Sequence, residues 1–175
     1  MKYRLLSLLL LVLASCSAPR SKSGGKPATT NSETGRYNNQ LGITLPAGID
    51  KSYISEISKW TGTPYKYGGT TTNGTDCSGL VQTVYRKVFN LEVDHNSLAL
   101  YKKAKPVNKS KVIEGDLVFF KINGDKISHV GMHITGDYFI HASTKKGVIV
   151  SSITDEYYRK TFAGYGTYRS QTANQ

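Results

Sequence analysis

Residues Gly74 to Phe89, GTDCSGLVQTVYRKVF, decide how the chain is read. Leu80, Val81, Val84, Tyr85, Val88 and Phe89 recur at the i, i+1, i+4, i+5 spacing of a wide apolar helical stripe, and Asp76 is a good N-cap just ahead of it. Cys77 then becomes the first helical residue, on or beside the buried face. Three readings of it are open: a nucleophile, half of a disulfide, or a small apolar filler. The free backbone N–H groups and the positive dipole end of a first helical turn favour a thiolate, so the position predicts a pKa below the usual ~8.5, with the Asp76 charge working against it. Gly79 is expected to keep the turn open for close approach of a substrate.

Around this helix the pattern changes period. Upstream, YISEISKW (Tyr53 to Trp60) places Ile54 and Ile57 on one helical face, and TGTPYKYGGTTTNGT is punctuated as loop. After a short polar helix near Ser97 to Lys105 come GDLVFFKI, SHVGMHIT, DYFIHAST, GVIVSSIT and GYGTYRS, brief runs rich in β-branched and aromatic residues, separated by Gly, Asn and Asp turns. Helices followed by a meander of strands define an α+β class, with N-terminal helices packed on a central antiparallel β-sheet. A tight turn at Thr135 to Asp137 sets Ile134 opposite Tyr138 and Gly131 opposite His141. His129 and His141 then become diagonal neighbours on one face, whereas a slip of one residue separates them. Cys77, His129 and His141 can supply a thiol, a base and a third group that fixes the base's tautomer. His129 and His133 are spaced H-x-x-x-H, but on a strand i and i+4 lie ~13 Å apart, which argues against a shared metal. His133 reads as a packed or rim residue and His95 as an exposed one.

The chain has 175 residues, a net charge of +11 and two cysteines. The positive excess suits polyanions or acidic surfaces, but the basic residues are scattered and come with no nucleic-acid motif, so a solvated face is expected and no nucleic-acid partner. Residues 1–16, MKYRLLSLLLLVLASC, combine basic residues with an apolar run, Leu5 to Leu13, about half as long as the ~20 residues that span a bilayer. This is an export signal. Leu13-Ala14-Ser15-Cys16 also resembles a bacterial lipobox, which implies lipidation of Cys16 and anchoring to a membrane, with plain secretion as the alternative. Ser17, rather than Asp, follows the cysteine, and the resemblance to Gram-negative lipoproteins then implies the outer membrane, facing the periplasm. Residues 17–48, rich in Ser, Thr, Gly, Asn and Pro, are expected to be a flexible tether, and 49–175 a single domain. Lipidation would consume Cys16 and leave Cys77 without a disulfide partner.

YKYGGTTTNGTDCSGLV, EGDLVFF, SHVGMHI and YFIHAS occur in an order and spacing that resemble the NlpC/P60 family of cell-wall peptidases, over roughly Ile54 to Arg169. The resemblance implies a papain-like fold, with Cys77 as nucleophile, His129 as base, His141 as the third polar residue and Tyr65 as the tyrosine close to the nucleophile. It further implies an oxyanion donor in the backbone at Cys77, and Asp76 and Ser78 in the substrate groove. LEVDHNSLALYKK (Leu91 to Lys103) departs from the family's Arg-Thr-Ser-like stretch there. The implied activity is that of a cysteine endopeptidase, monomeric and without cofactor or metal, acting on peptidoglycan stem peptides at the γ-D-glutamyl–diamino acid bond. A non-catalytic wall-binding lipoprotein and a related thiol amidase or acyltransferase are the alternatives.

Overall fold

The computed structural model describes residues 30–169. The expected export signal, Cys16 and the first part of the expected tether lie outside the described residues. Five helices, α1 (Thr30–Leu41), α2 (Lys51–Trp60), α3 (Cys77–Phe89), α4 (Ser97–Lys103) and α5 (Glu156–Thr161), accompany a two-stranded ribbon of β1 (Thr70–Thr71) and β2 (Gly74–Thr75). The main sheet holds β3 (Lys105–Val107), β4 (Leu117–Phe120), β5 (His129–Thr135), β6 (Tyr138–Ser143), β7 (Gly147–Ser152) and β8 (Phe162–Thr167). Its order is β3-β8-β4-β5-β6-β7, and every pair is antiparallel. The expected meander therefore holds for β4 to β7, while β8 returns to insert between β3 and β4. No helix among the described residues is long and apolar enough to cross a membrane.

α3 starts where the sequence places it. The Asp76 side chain accepts from the Gly79 N–H, and Asn90 closes the other end in a left-handed conformation at φ 53°. Leu80, Val81, Val84 and Tyr85 are fully buried against α2 and β5. α2 is capped by Asp50, which accepts from the N–H groups of Ser52 and Tyr53, and it buries Tyr53, Ile54, Ile57 and Trp60. In β4 the whole run LVFF is buried, because the sheet is covered on both faces. Leu117 and Phe119 join the large core under the helices. Val118 and Phe120 join a smaller core with Phe139, Ile153 and Tyr165, against which Tyr158 of α5 packs.

The tether reading of residues 17–48 is corrected over its second half. α1 occupies Thr30–Leu41, and Tyr37, Leu41 and the following Leu45 belong to the large core. The Asn38 side chain accepts from the Leu45 N–H at 3.0 Å, and Gln40 donates to the Ser58 carbonyl at 2.7 Å, tying this segment to α2. Three apolar residues spaced by four among polar neighbours are enough to dock a helix on a preformed core, although too sparse to register as a periodic stripe. Leu41→Ala should accordingly lower stability by about 2–5 kcal/mol, the range for truncating a buried leucine. A chain cut to begin at residue 49 should unfold at lower urea than one beginning at residue 30, and equal midpoints would return this segment to the role of a tether.

Candidate active site

The register of β5 and β6 assembles the site. Met132 pairs with Ile140 and His133 with Phe139, and a bulge next to the turn then pairs Thr135, not Ile134, with Tyr138. Beyond the bulge the register is the expected one, so Gly131 falls opposite His141. A Cβ on Gly131 would lie 2.6 Å from the Phe139 ring and 3.2 Å from the His141 Cβ, which makes glycine the residue that lets these strands close. Diagonally across the pair, His129 Nε2 and His141 Nδ1 are 2.9 Å apart, with their rings near perpendicular. The far nitrogen of His141, Nε2, meets the Ser151 hydroxyl at 3.0 Å and the Tyr158 hydroxyl at 3.1 Å. His129 Nδ1 makes no hydrogen bond among the described residues, so it is the ring nitrogen available to exchange a proton.

Cys77 and the two histidines line one cleft of about 230 Å³, together with Tyr65, Tyr157 and Tyr158. Tyr65 is held there by a parallel bridge to Thr75. Burial, then the neighbouring Cys77 and Asp76, raise its phenol above the ordinary value, so it stays protonated and able to donate. Asp76 and Ser78 do not line the cleft. Ser78 donates to Asp76 at 3.0 Å, and the Asp76 carboxylate also accepts from the N–H groups of Gly79 and Gly68, both at 2.7 Å, and from His95 Nε2 at 3.0 and 3.1 Å. Burial works to raise the Asp76 pKa, but the hydrogen bonds from Gly79, Gly68 and His95 outweigh it and hold the carboxyl below its usual range. Asp76 thus stays charged and locks the loop before α3 onto the helix start.

His95, read from the sequence as exposed, is a member of that lock. The stretch that departs from the family pattern marked its place without revealing its partner. Gly79 has a different role from the one expected. A Cβ there would collide with the Gly69 carbonyl oxygen and sit 3.0 Å from His95 Nε2, so the close approach it permits is that of the protein's own chain. His133 is buried, with its two nitrogens at 3.1 and 3.0 Å from the Ile113 and Gly136 carbonyls, a packing role away from the cleft. No cluster able to hold a metal exists among the described residues.

The expected thiolate is also corrected. Burial pushes the Cys77 thiol up to about 11, and the Asp76 charge adds to the rise, against backbone N–H groups of Val130, Ser78 and Cys77 itself that point toward the sulfur. Burial also lowers His129 to about 4 and depresses His141, which the neighbouring His129 lowers further. The resting site is therefore a neutral thiol beside neutral imidazoles. Because Asp76 takes only the Gly79 N–H within the first turn, the N–H groups of Cys77 and Ser78 remain directed at the reacting centre. Such N–H groups are suited to receive negative charge that develops there.

A thiol at a helix start, an imidazole pair borne on an antiparallel sheet, and amides and a phenol around them are the parts of thiol-dependent acyl chemistry. The NlpC/P60 family model matches residues 62–167, and the chain belongs to that family. It is 36% identical over 163 residues to the probable endopeptidase NlpC of Escherichia coli K12, covering 93% of this chain and 96% of that protein. It is 32% identical over 158 residues to the murein DD-endopeptidase MepS/murein LD-carboxypeptidase of the same organism, covering 87% and 84%. A crystal structure of an NlpC/P60 family protein from Bacillus cereus superposes with a TM-score of 0.61 at 25% identity, over 74% of this chain and 42% of that one.

Two outcomes follow from this geometry. At pH 7 iodoacetamide should label Cys77, followed by peptide mass, more slowly than a free thiol of ordinary pKa ~8.5, and the rate should climb toward pH 11. Faster labelling at neutral pH would mean a stabilised thiolate. Gly79→Ala, which on helix propensity alone would gain about 1 kcal/mol, should instead lower the unfolding midpoint.

Proposed function

We propose that the chain is a cysteine endopeptidase that hydrolyses peptidoglycan stem peptides, with the γ-D-glutamyl–diamino acid bond as its target. The observation that carries this reading is the place of Cys77, at the first turn of α3 and in one cleft with the hydrogen-bonded pair His129 and His141. Membership of the NlpC/P60 family supports it. As Cys77 Sγ attacks the amide carbonyl, its proton passes to His129 Nδ1. Starting from a neutral pair, this transfer accompanies the attack rather than preceding it. The oxyanion is met by the amides of the first turn and by the Tyr65 hydroxyl. The C–N bond then breaks, and the departing amine takes the proton from His129, leaving a thioester on Cys77. Water attacks the thioester while giving a proton to neutral His129. The C–S bond breaks, the acid product leaves, and that proton returns to the sulfur. One water is consumed for each bond cut, and every proton passes through His129.

A second reading concerns the bond. The name of the Escherichia coli relative specifies DD-endopeptidase and LD-carboxypeptidase activities, which favours a D,D crosslink as an alternative target. In either case the same reading has the chain exported and held by lipid on Cys16 at the outer membrane, facing the periplasm, as a monomer that binds no nucleic acid. The support for this lies in the sequence Leu13-Ala14-Ser15-Cys16 and in the scattered basic residues.

Purified muropeptides, linear and crosslinked, incubated with the chain and with Cys77→Ser and analysed by mass spectrometry, test both readings. Linear stem peptides should be cut between D-glutamate and the diamino acid, and the products should vanish with Cys77→Ser. Loss of crosslinks alone would move the target to the D,D bond. Intact muropeptides with a folded protein would replace the enzyme with a wall-binding module.

A further inference from the structure

The His129–His141 pair has two possible proton orders, and only one of them leaves a base. In the first, His129 Nε2–H donates to His141 Nδ1, His141 Nε2–H donates onward, and His129 Nδ1 keeps its lone pair toward the cleft. In the second, a hydroxyl donates to His141 Nε2, His141 Nδ1–H donates to His129 Nε2, and the proton of His129 sits on Nδ1, where it cannot accept from the thiol. Two buried neutral imidazoles do not choose between these orders by themselves. The choice falls to whatever His141 Nε2 faces.

It faces two hydroxyls, Ser151 Oγ at 3.0 Å and Tyr158 Oη at 3.1 Å. We propose that Ser151 and Tyr158 are positioning residues that jointly hold His141 in its Nε2–H form and so keep His129 Nδ1 bare. The inference rests on the proposed role of His129 as the base. Both hydroxyls are fixed by the fold. In the β6–β7 ladder His141 pairs with Ile149, so Ser151, two residues further on, is a diagonal neighbour on the same face. Tyr158, from α5, is set edge-on against the Phe120, Phe139 and His141 rings at 5.4, 5.1 and 5.2 Å between centroids. The two hydroxyls thus converge on the same ring nitrogen, one from β7 and one from α5. A bare Nε2 has one lone pair and could accept from only one of the two hydroxyls, whereas an Nε2–H can be shared between both, each of which has lone pairs to offer. Tyr158 is half-buried at the cleft and can direct its own proton to solvent. Two adjacent acceptors make the arrangement redundant, so either one supports the productive order when the other is lost.

The test uses the full chain with ¹⁵N-labelled histidine, whose four residues give a spectrum sparse enough to assign. In the unmodified protein near pH 7, long-range ¹H–¹⁵N spectra should show both His129 and His141 as Nε2–H tautomers. His141 carrying its proton on Nδ1 would overturn the proposal whether or not any peptide is cleaved. Ser151→Ala and Tyr158→Phe should each lower kcat less than about 10-fold, and the double variant by about 100-fold or more, within the range of general acid–base contributions. KM should hold in Ser151→Ala, because Ser151 does not line the cleft. Ser151→Thr should restore both the rate and the tautomer in the Tyr158→Phe background. A folded double variant with kcat and the ¹⁵N pattern unchanged, or a loss confined to KM, would also overturn it. If the double variant does not fold, the spectra of the unmodified protein and the two single variants decide the matter alone.

Discussion

The hydrogen bond between His129 and His141 is the constraint on which the rest of the site depends. It spans two adjacent antiparallel strands, so it exists only in the register that sets Gly131 against His141. The bulge near Thr135 absorbs one residue at the turn and restores that register before the histidines are reached. Gly131 lets the Phe139 ring and the His141 Cβ approach where any side chain would hold them off. A one-residue slip would scatter the two imidazoles to opposite faces and also move the apolar residues of β5 out of the core, so the energy of the core guards the geometry of the pair.

A second lock fastens the loop before α3 to the helix start. The single carboxylate of Asp76 caps α3, holds Gly68 and His95, and accepts from Ser78, so that the loop carrying Tyr65 and the helix carrying Cys77 are fastened at one buried atom group. α3 packs on β5 through a layer of fully buried aliphatic side chains. The thiol from the helix and the imidazole from the sheet are therefore brought together by rigid elements rather than by a loop, which is how reacting groups are held to within a fraction of an ångström.

Much of this was legible in residue patterns because it rests on strong local signals. Asp76 before a wide apolar stripe gives the start of α3, and alternating β-branched runs give β4 to β7. The parts that were not legible depend on tertiary context. Tyr37, Leu41 and Leu45 anchor α1 only because a core is already there to receive them. α5 is one short polar helix that brings Tyr157 and Tyr158 to the cleft. Ser151 looks like any strand serine until the ladder sets it beside His141, and His95 like a loop residue until Asp76 is seen to gather donors. Burial first, with the Asp76 charge added, pushes the Cys77 thiol up, where the helix-start argument predicts a fall, and burial is a tertiary effect that the local pattern does not show.

That protonated resting thiol has a consequence for survival in oxidising surroundings. Peroxides and disulfides react with the thiolate, and the first step toward sulfenic acid or a mixed disulfide is slow when little thiolate is present. A cysteine buried as a neutral thiol has little thiolate to offer those reactions. The burial that makes Cys77 a reluctant acid thus also makes it durable.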